Sequence, residues 1–289
     1  MGAKTAIVIP MHNALRQLPH CLDSLVWART EDVAVVVVDA GSTDGGADWI
    51  ATNAPEVVVV AGDAGMWWTE AVDLGCRFAV RDLAVTRLGL LNVDCTWSRS
   101  GFTAASEALQ RHPGSIVCSH VQRLDNGATT FAGGTVLRSG VLTLRSAGVP
   151  GETAPPSDWV AWCGGQGVVF DASAYIATGG FDYQVFPHYF GDSDFCLRAA
   201  RHGTRVWYCS DSTVNDDKST TGISPHQNGG DLLVVWRSLS SRRSVFNLHD
   251  NLRFYLRHRR WRAPIALLHL YVLWAAWSAR GILRGRLGV

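Results

Sequence analysis

The sequence predicts an α/β fold: a doubly wound, mostly parallel sheet followed by a helical, amphipathic C-terminal extension. Four short and almost wholly apolar runs lie in the first third of the chain, and segments with helical spacing of apolar residues lie between them. The runs are residues 4–10, 33–38, 57–61 and 88–91. Strands of a parallel sheet are buried on both faces, so a run such as VAVVVV fits one, and the alternation of strand and helix is typical of doubly wound sheets.

Three helices are predicted between these strands. They cover residues 12–27, a segment that ends at about residue 53, and residues 68–80. Pro19 marks the first turn of the regular part of the first helix, because proline is favoured there. The second helix follows the turn GSTDGG, in which Ser42, Thr43 or Asp44 can cap it.

Polar residues follow the ends of the four predicted strands. The strand ends carry Pro10, Asp39, Asp63 and the pair Asn92 and Asp94. We expect them along one rim of the sheet, where ligands bind in open α/β sheets. A carboxylate there can hold a divalent cation or a cation-bound phosphate, but Asn and Asp after a strand are also ordinary turn formers.

Two common phosphate-binding motifs are absent from the sequence. The residues after the first strand read PMHNAL instead of GxGxxG, and no GxxxxGK[ST] segment occurs. The glycines of GSTDGG have a different spacing from either motif. The sequence therefore speaks against a dinucleotide-binding dehydrogenase and against a P-loop enzyme.

The distribution of charge indicates a binding partner for the C-terminal segment, and the cysteine content indicates the redox state of the compartment. The net charge is +1, but residues 242–289 hold ten arginines and one acid, which gives +9 and leaves −8 for residues 1–241. This asymmetry predicts that the C-terminal segment meets something anionic. Seven cysteines without a CxxC pair argue for a reducing cytosol and against a disulfide framework or a zinc site, and the N-terminus shows no signal-peptide pattern.

The middle of the chain predicts a second group of elements. A helix is expected at residues 102–111, a strand at 115–121, and a tight hairpin turn at LDNGA. Residues 137–162 form a long irregular segment, as substrate lids and acceptor surfaces commonly do. Trp159 and Trp162 at its end fit an aromatic sugar contact and a plain hydrophobic anchor equally well.

The second informative stretch is HYFGDSDF at residues 188–195. Asp192 and Asp194 lie at the start of a predicted helix, where free backbone N–H groups and the helix dipole stabilise acids. Helix capping explains one of the two acids but does not explain the stretch as a unit.

The segments IVIPMHN, VVVVDAGSTDGG, GDAGMWWTEAVDLG and LLNVDCTW resemble the nucleotide-binding half of family 2 glycosyltransferases, inverting enzymes of the GT-A fold. The resemblance implies that Asp39 contacts the nucleobase and that Asp94, the last acid of a D-x-D-like element, binds the metal. Asn92 stands where that element usually begins with an acid. L-N-x-D and the Trp67–Trp68 pair are similar to the bacterial rhamnosyltransferase-like branch, although one of these tryptophans is as well explained by core packing.

HYFGDSDF resembles the second signature of the same enzymes, often E-D-x-D-[LF]-x-x-R. The resemblance places Gly191 at the Glu position, makes Asp192 the general base and puts Arg198 at the arginine. His188 and Tyr189 are the candidates for orienting Asp192. Downstream, relatives often have a metal-binding His; here Asn215 or Asp216 is the candidate, and a solvated polar loop is the alternative.

The resemblance implies an inverting, metal-dependent hexosyltransferase. Its donor would be a nucleoside diphosphate sugar, dTDP-rhamnose or a UDP-sugar, and its acceptor a hydroxyl of a bacterial cell-surface glycan or glycolipid, as in cell-wall polysaccharide synthesis. The alternatives are a sugar nucleotidyltransferase and a catalytically silent sugar-nucleotide or membrane-binding scaffold. The implied cofactor is Mg²⁺ or Mn²⁺. The implied donor-binding residues are Pro10, His12, Asn13, Asp39, Ser42, Asp63, Trp68, Asn92 and Val93; the metal ligands are Asp94, Asn215 and Asp216; the acceptor-binding residues are Trp159, Trp162, His188, Tyr189 and Asp194.

The sequence divides into an enzyme domain at residues 1–222, with halves at 1–98 and 99–222, and an extension at 223–289. In the extension, RHRRWR precedes an apolar stretch at residues 263–279 that is short for a membrane span of about 20 residues. A helix at an anionic bilayer surface fits better, which predicts a cytoplasmic protein peripheral to the inner face of the cell membrane. Packing in the core or in a homo-oligomer is the alternative. The acidic body and the lack of a nucleic-acid motif speak against nucleic acid.

Overall fold

The computed structural model describes residues 4–145, 154–217 and 231–287, with side chains as far as residue 283. It confirms the α/β class with a mostly parallel sheet. The strands are β1 Thr5–Met11, β2 Val33–Asp39, β3 Val58–Ala61, β4 Arg87–Leu90, β5 Cys95–Trp97, β6 Ile116–Arg123, β7 Thr129–Phe131, β8 Gly134–Val136, β9 Leu142–Leu144, β10 Asp158–Val160, β11 Val168–Asp171 and β12 Val206–Asp216. The helices are α1 Leu18–Asp23, α2 Gly46–Asn53, α3 Trp68–Arg81, α4 Arg99–Arg111, α5 Ala172–Thr178, α6 Gly191–Arg201, α7 Leu232–Ser240, α8 Leu248–Arg259 and α9 Ala263–Leu287.

The main sheet has the order β10-β12-β6-β11-β4-β1-β2-β3, with β5 paired to β12 and β7 to β6. Strands β3, β2, β1 and β4 are mutually parallel, and β11 runs antiparallel between β4 and β6. Met11 lies opposite Asp39, and β4 ends beside the same part of β1. The polar residues after β1, β2 and β4 therefore share one rim, as the sequence predicted.

The core forms where helices pack on strands that are buried on both faces. All seven residues of β1 are buried. Gly75 of α3 lies against β1 and β2, where a Cβ would come within 2.4 Å of Val8 and 2.8 Å of Val38. Any side chain at position 75 would push the helix away from the sheet. All seven cysteines are buried and free, so the chain has no disulfide.

The first helix is shorter than predicted. Regular α1 is followed by a 3₁₀ helix at Val26–Thr30, although proline does occupy its first turn. Ser24 accepts a hydrogen bond from the Trp97 amide at 3.1 Å, and the Trp27 indole donates to the Trp97 carbonyl at 3.2 Å. These tertiary bonds hold the chain against β5 where a continuous helix would separate the groups. At α2 the N-cap is Gly45, and Asp44 bonds the amide of Gly46 at 3.1 Å.

Strand β12 is longer than the sequence indicated. The apolar run VWYC at its start ends at Cys209, but the strand continues to Asp216 after a bulge between Cys209 and Thr213. Ser212 is fully buried, and its hydroxyl bonds the hydroxyl of Ser119 at 2.7 Å. Because such polar residues find partners inside the sheet, a polar sequence could form a buried strand. Asp216 therefore lies on a strand, and the solvated-loop interpretation is wrong for it.

Contacts between Cα atoms divide the chain into two units. The second unit comprises residues 136–143, 188–190 and 219–289 and contains α7, α8 and α9 within its described part. Inside this unit the Tyr255 hydroxyl accepts from the Leu142 amide at 3.3 Å, and Arg259 donates to the Gly140 carbonyl at 3.0 Å. Helix α9 has 25 residues, more than the stretch predicted. By length and composition, the helical segment Leu248–Leu283 could cross a membrane.

Candidate active site

Two carboxylates and a thiol come together where β4 leaves the sheet. Strand β5 follows Asp94 directly and pairs antiparallel with the end of β12, which sets Cys95 opposite Asp216. The Asp217 amide also donates to the Asp94 carbonyl at 2.9 Å. One ligand atom from each of Asp94, Cys95 and Asp216 lies within 4.8 Å of the other two. Backbone pairing alone brings together residues that are more than a hundred positions apart.

The cluster of Asp94, Cys95 and Asp216 fits a divalent cation. Cys95 and Asp216 are buried and Asp94 is half-buried. Burial, and then the charges of Asp94 and Asp216, hold the pKa of the Cys95 thiol well above its usual range. The same negative potential favours a bound cation, and carboxylate oxygens are ligands for Mg²⁺ and Mn²⁺.

Asn215, predicted as a ligand, is not part of this cluster. Its amide oxygen accepts from the Gln122 side chain at 2.9 Å. Neighbouring residues of a strand point to opposite faces, so Asn215 points away from the face that carries Asp216. Of the two candidates, Asp216 is the one that the structure brings to Asp94.

The segment Gly164–Gly165–Gln166 links this cluster to the predicted base. Gln166 Nε2 donates to Asp216 Oδ2 at 3.2 Å and lies 3.5 Å from Cys95 Sγ. The backbone of Gly165 lies close enough to the Asp192 carboxylate to favour its ionised form. A Cβ at Gly164 would lie 3.6 Å from Asp192 Oδ2. Consecutive residues thus touch the acid proposed as base and the acid proposed as metal ligand.

Asp192 lies at the start of α6 with its carboxylate held in place. Its Oδ1 accepts from the Ser193 amide at 2.6 Å and from the Ser193 hydroxyl at 3.2 Å. Burial raises the pKa of Asp192 to about 6, and the hydrogen bonds from Ser193 and Gly165 limit the rise. A carboxyl group with such a pKa is ionised at neutral pH and is a stronger base than an ordinary aspartate.

Gly191 shows why no glutamate precedes Asp192. A Cβ at Gly191 would lie 2.2 Å from Thr69 Oγ1 and 2.6 Å from Thr69 Cγ2. Thr69 is fully buried at the start of α3, and its amide donates to the Pro187 carbonyl at 3.1 Å. The threonine occupies the space that a longer side chain at position 191 would need.

Trp68 and Asn92 form a hydrogen-bonded pair beside the Gly164–Gln166 segment. The Trp68 indole donates to Asn92 Oδ1 at 2.8 Å. Its ring covers Gly165 so closely that a Cβ there would lie 2.2 Å from the indole. The amide oxygen of Asn92 serves as the acceptor that positions Trp68. Val93, next along the chain, is half-buried.

The predicted donor residues after β1 and β2 form two loops tied to each other. His12 Nδ1 bonds the Ala40 carbonyl at 2.8 Å, and Asn13, with φ of +48°, accepts from the Thr43 amide at 2.8 Å. Ser42 Oγ accepts from the Asn13 amide, and Asp39 Oδ1 accepts from the Ser42 amide at 2.9 Å. Pro10 is buried within β1, and Asp63 is exposed after β3. The structure brings His12, Asn13, Asp39 and Ser42 together.

The two tryptophans predicted to bind the acceptor have structural contacts. Trp159 on β10 is opposite Trp207, nine residues before Asp216 on β12, a strand length of roughly 30 Å. Its ring lies under the Arg205 guanidinium at 3.9 Å. Trp162 donates to the Thr135 carbonyl at 3.2 Å and covers Gly134. Both side chains therefore anchor strands, and the structure does not bring Trp159 to the carboxylates.

Asp194 also belongs to the framework. It has no exposed surface, and its Oδ2 accepts from Arg198 Nε at 2.6 Å. Arg198 in turn donates to the Thr178 and Gly180 carbonyls at 2.7 and 2.8 Å, which fixes α6 to the end of α5. An acid with this burial and this ion pair has no surface for an acceptor.

His188 and Tyr189 belong to the second unit. Their rings meet edge to face at 4.7 Å. Burial, and then the charge of Arg243, lowers the pKa of His188 to about 4, so this imidazole is neutral at neutral pH.

Sequence reasoning missed Cys95, Gln166 and Ser193. Cys95 follows Asp94 directly, and a thiol next to a predicted metal ligand was a usable signal. Gln166 sits in GGQG, where the glycines indicated a close backbone approach but not a polar contact. No pattern indicated that Ser193 binds the carboxylate of its own neighbour.

Comparisons with known proteins give a family match over part of the chain. Residues 6–140 match the family model described as glycosyl transferase family 2. No protein of curated function matches the chain.

Solved structures are similar to the chain in fold. A structure of GalNAc-T7 with UDP, GalNAc and Mn²⁺ has a TM-score of 0.60 at 13% identity, over 85% of this chain and 50% of that one. A structure of S. aureus TarS 1–349 in complex with UDP-GlcNAc has a TM-score of 0.54 at 14% identity, over 86% of this chain and 70% of that one. A structure of the mannosyltransferase PcManGT from Pyrobaculum calidifontis, in complex with GDP-Man and Mn²⁺, has a TM-score of 0.54 at 16% identity, over 99% of this chain and 87% of that one.

The present chain thus spans about half the length of the GalNAc-T7 chain. The likeness confirms the GT-A fold.

The raised pKa of Asp192 predicts a pH-dependent stability. The ordinary Asp pKa is 3.8, so the folded state holds the proton more tightly, and the free energy of unfolding falls as the pH rises through about 6. Asp192→Asn removes this titration. Measured without divalent cations, the variant should gain stability over the parent protein between pH 4 and pH 7, by up to about 3 kcal/mol. Chemical unfolding at several pH values measures the difference. The exposed Asp23→Asn is the control, and a pH-independent difference for Asp192→Asn would contradict the assignment.

Proposed function

We propose that this protein is an inverting, metal-dependent glycosyltransferase that uses a nucleoside diphosphate sugar. One observation carries the proposal. The Gly164–Gln166 segment holds a base carboxylate of raised pKa and an acidic metal-ligand cluster on neighbouring residues of the chain. The family match and the GT-A fold support the same conclusion.

Each acid has a separate task in the proposed reaction. Asp94 and Asp216 would hold the cation, which would supply positive charge to the diphosphate leaving group. Asp192 Oδ1 is engaged by Ser193, so Oδ2, beside Gly164, would take the proton from the acceptor hydroxyl. The acceptor oxygen attacks the anomeric carbon as the bond to the diphosphate breaks. This single displacement needs no nucleophilic side chain and inverts the configuration.

The loops after β1 and β2 would bind the nucleotide. The Ser42 amide bonds Asp39 Oδ1, and within the described residues Asp39 Oδ2 has no hydrogen-bond partner. We expect Oδ2 to accept a hydrogen bond from the N–H of a uracil or thymine. A dTDP-rhamnose or UDP-sugar donor and a hydroxyl of a bacterial cell-surface glycan or glycolipid as acceptor fit this assignment.

The buried base distinguishes this proposal from the alternatives. A sugar nucleotidyltransferase needs no base beside the acceptor, and a silent scaffold has no use for a buried carboxyl group that costs stability at neutral pH. Hydrolysis of a UDP- or dTDP-sugar by the parent protein with Mn²⁺ would exclude a scaffold.

Substitution of Asp94 and Asp192 should impair the protein in different ways. Asp94→Asn removes a charged ligand, so both cation and donor binding should weaken. Asp192→Asn keeps the size of the side chain and removes the base, so donor binding should persist while transfer falls by about 10²- to 10⁴-fold. Calorimetric titration of donor with Mn²⁺ and a transfer assay measure both effects. Asp23→Asn is the matched control, and near-parental transfer by Asp192→Asn would place the base elsewhere.

Asp39→Asn tests the nucleobase contact without removing the turn. The amide oxygen can still accept from the Ser42 amide, while the amide nitrogen replaces the acceptor at Oδ2 by a donor. UDP or dTDP binding should therefore weaken by about tenfold or more, since the N–H group of the new amide would face the N–H group of the base. The melting temperature should change little. Unchanged nucleotide affinity would count against the contact.

The helices of the second unit support a membrane contact. Each of α7, α8 and the segment from Trp261 through α9 exposes large apolar residues at helical spacing. They are Leu232, Leu233 and Trp236; Leu248, Leu252 and Leu256; and Trp261, Ile265, Leu268, Val272 and Leu283. Exposed arginines accompany them at positions 242, 243, 253, 260, 262 and 280. Apolar stripes next to cationic side chains suit an anionic bilayer surface, so we propose peripheral binding at the inner face of the cell membrane.

Vesicle binding tests this contact. The protein should bind vesicles of phosphatidylcholine with phosphatidylglycerol, bind weakly to phosphatidylcholine alone, and be released at high salt. The double variant Leu268→Ser and Val272→Ser should bind about 10- to 100-fold more weakly, because two side chains no longer enter the bilayer. Ile176→Ser, an equally exposed apolar residue on α5, is the control. Equal binding by all three proteins would contradict the proposal.

A further inference from the structure

We propose that the Cys95 thiol is a direct metal ligand, and that it makes this site favour thiophilic cations such as Co²⁺, Zn²⁺ and Cd²⁺ over Mg²⁺. This inference rests on the proposed metal site and adds a sulfur ligand to it. Soft thiolate ligands select such cations, whereas a site made only of carboxylates and water suits Mg²⁺ and Mn²⁺.

The distances already fit coordination by sulfur. Cys95 Sγ lies 3.6 Å from Asp94 Oδ1. A tetrahedral cation with a metal–sulfur bond of about 2.3 Å and a metal–oxygen bond of about 2.1 Å separates these two ligand atoms by about 3.6 Å. The whole triad lies within 4.8 Å, so the remaining pairs need to close by no more than about 1.2 Å to reach a separation of about 3.6 Å.

The backbone holds the thiol at this position. Cys95 is fully buried on β5, its amide donates to the Asn92 carbonyl at 3.1 Å, and its partner across the strands is Asp216. A ligand fixed on a strand loses little side-chain freedom when a cation binds, which favours binding. On coordination the thiol proton passes to the solvent and a sulfur–metal bond forms. Gln166 can keep its hydrogen bond to Asp216 and so orient that carboxylate.

The other buried cysteines provide a contrast. Cys163 and Cys196 are 3.5 Å apart, and Cys209 bonds the Ala104 carbonyl at 3.8 Å. Within residues 4–145, 154–217 and 231–283, Cys95 is the cysteine that shares a cluster with two carboxylates. A cysteine that only filled space would not need to lie within 4.8 Å of the oxygens of two acids.

Cobalt titration of the full-length protein without nucleotide tests the inference. Co²⁺ should produce the near-ultraviolet charge-transfer band that a sulfur–cobalt bond gives. Cys95→Ser should lose the band and bind Co²⁺ and Cd²⁺ at least about tenfold more weakly, the scale on which even an outer partner of a metal acts. Its Mg²⁺ affinity should change less than threefold, or about 0.6 kcal/mol. Cys209→Ser, which removes another buried thiol on β12, should keep the band.

A second measurement needs no variant and covers a failure of Cys95→Ser to fold. The ¹¹³Cd spectrum of the parent protein should show the downfield shift of a cadmium ion with a sulfur ligand. Cation binding without the cobalt band and without this shift would overturn the sulfur ligand while leaving the carboxylate site intact. If the parent protein binds no divalent cation, the metal site of the proposed function fails together with this inference.

Discussion

The candidate active site depends on the close approach of Gly164, Gly165 and Gln166 to two acids that lie on different elements. Gln166 bonds Asp216 at the end of β12, and Gly164 packs against the Asp192 carboxylate at the start of α6. Trp68 covers Gly165 at a distance that excludes a Cβ. Because these contacts are close, a small shift of this segment would move the base and the metal-ligand cluster relative to each other.

Burial gives the base its strength and makes it costly. Removing Asp192 from water disfavours its charged form, and the hydrogen bonds from Ser193 and Gly165 recover only part of that cost. The contribution of Asp192 to the free energy of unfolding is therefore lowest in the pH range where its carboxylate is ionised. Such a conflict between stability and local chemistry is common at catalytic groups, because their pKa values must differ from those in water.

Some residues that were predicted to bind the acceptor stabilise the fold instead. Asp194 is buried in an ion pair with Arg198, and Trp159 lies under Arg205 at the far end of β12. The predictions for these residues came from residue type and from neighbourhood in sequence. A strand or helix separates such neighbours onto different faces, so proximity along the chain did not make them parts of one site.

The sequence by itself determined the strand and helix alternation, the rim at which β1, β2 and β4 end, and the positions of Asp39, Asp94 and Asp192 near their elements' ends. These features follow from local periodicity and local turn chemistry. Only the tertiary structure decided that Asp216 rather than Asn215 joins Asp94, and that Cys95 and Gln166 belong to the same cluster. That choice depends on the register between β5 and β12, which are separated by more than a hundred residues, and register is fixed by pairing across the sheet and by which side chains become buried.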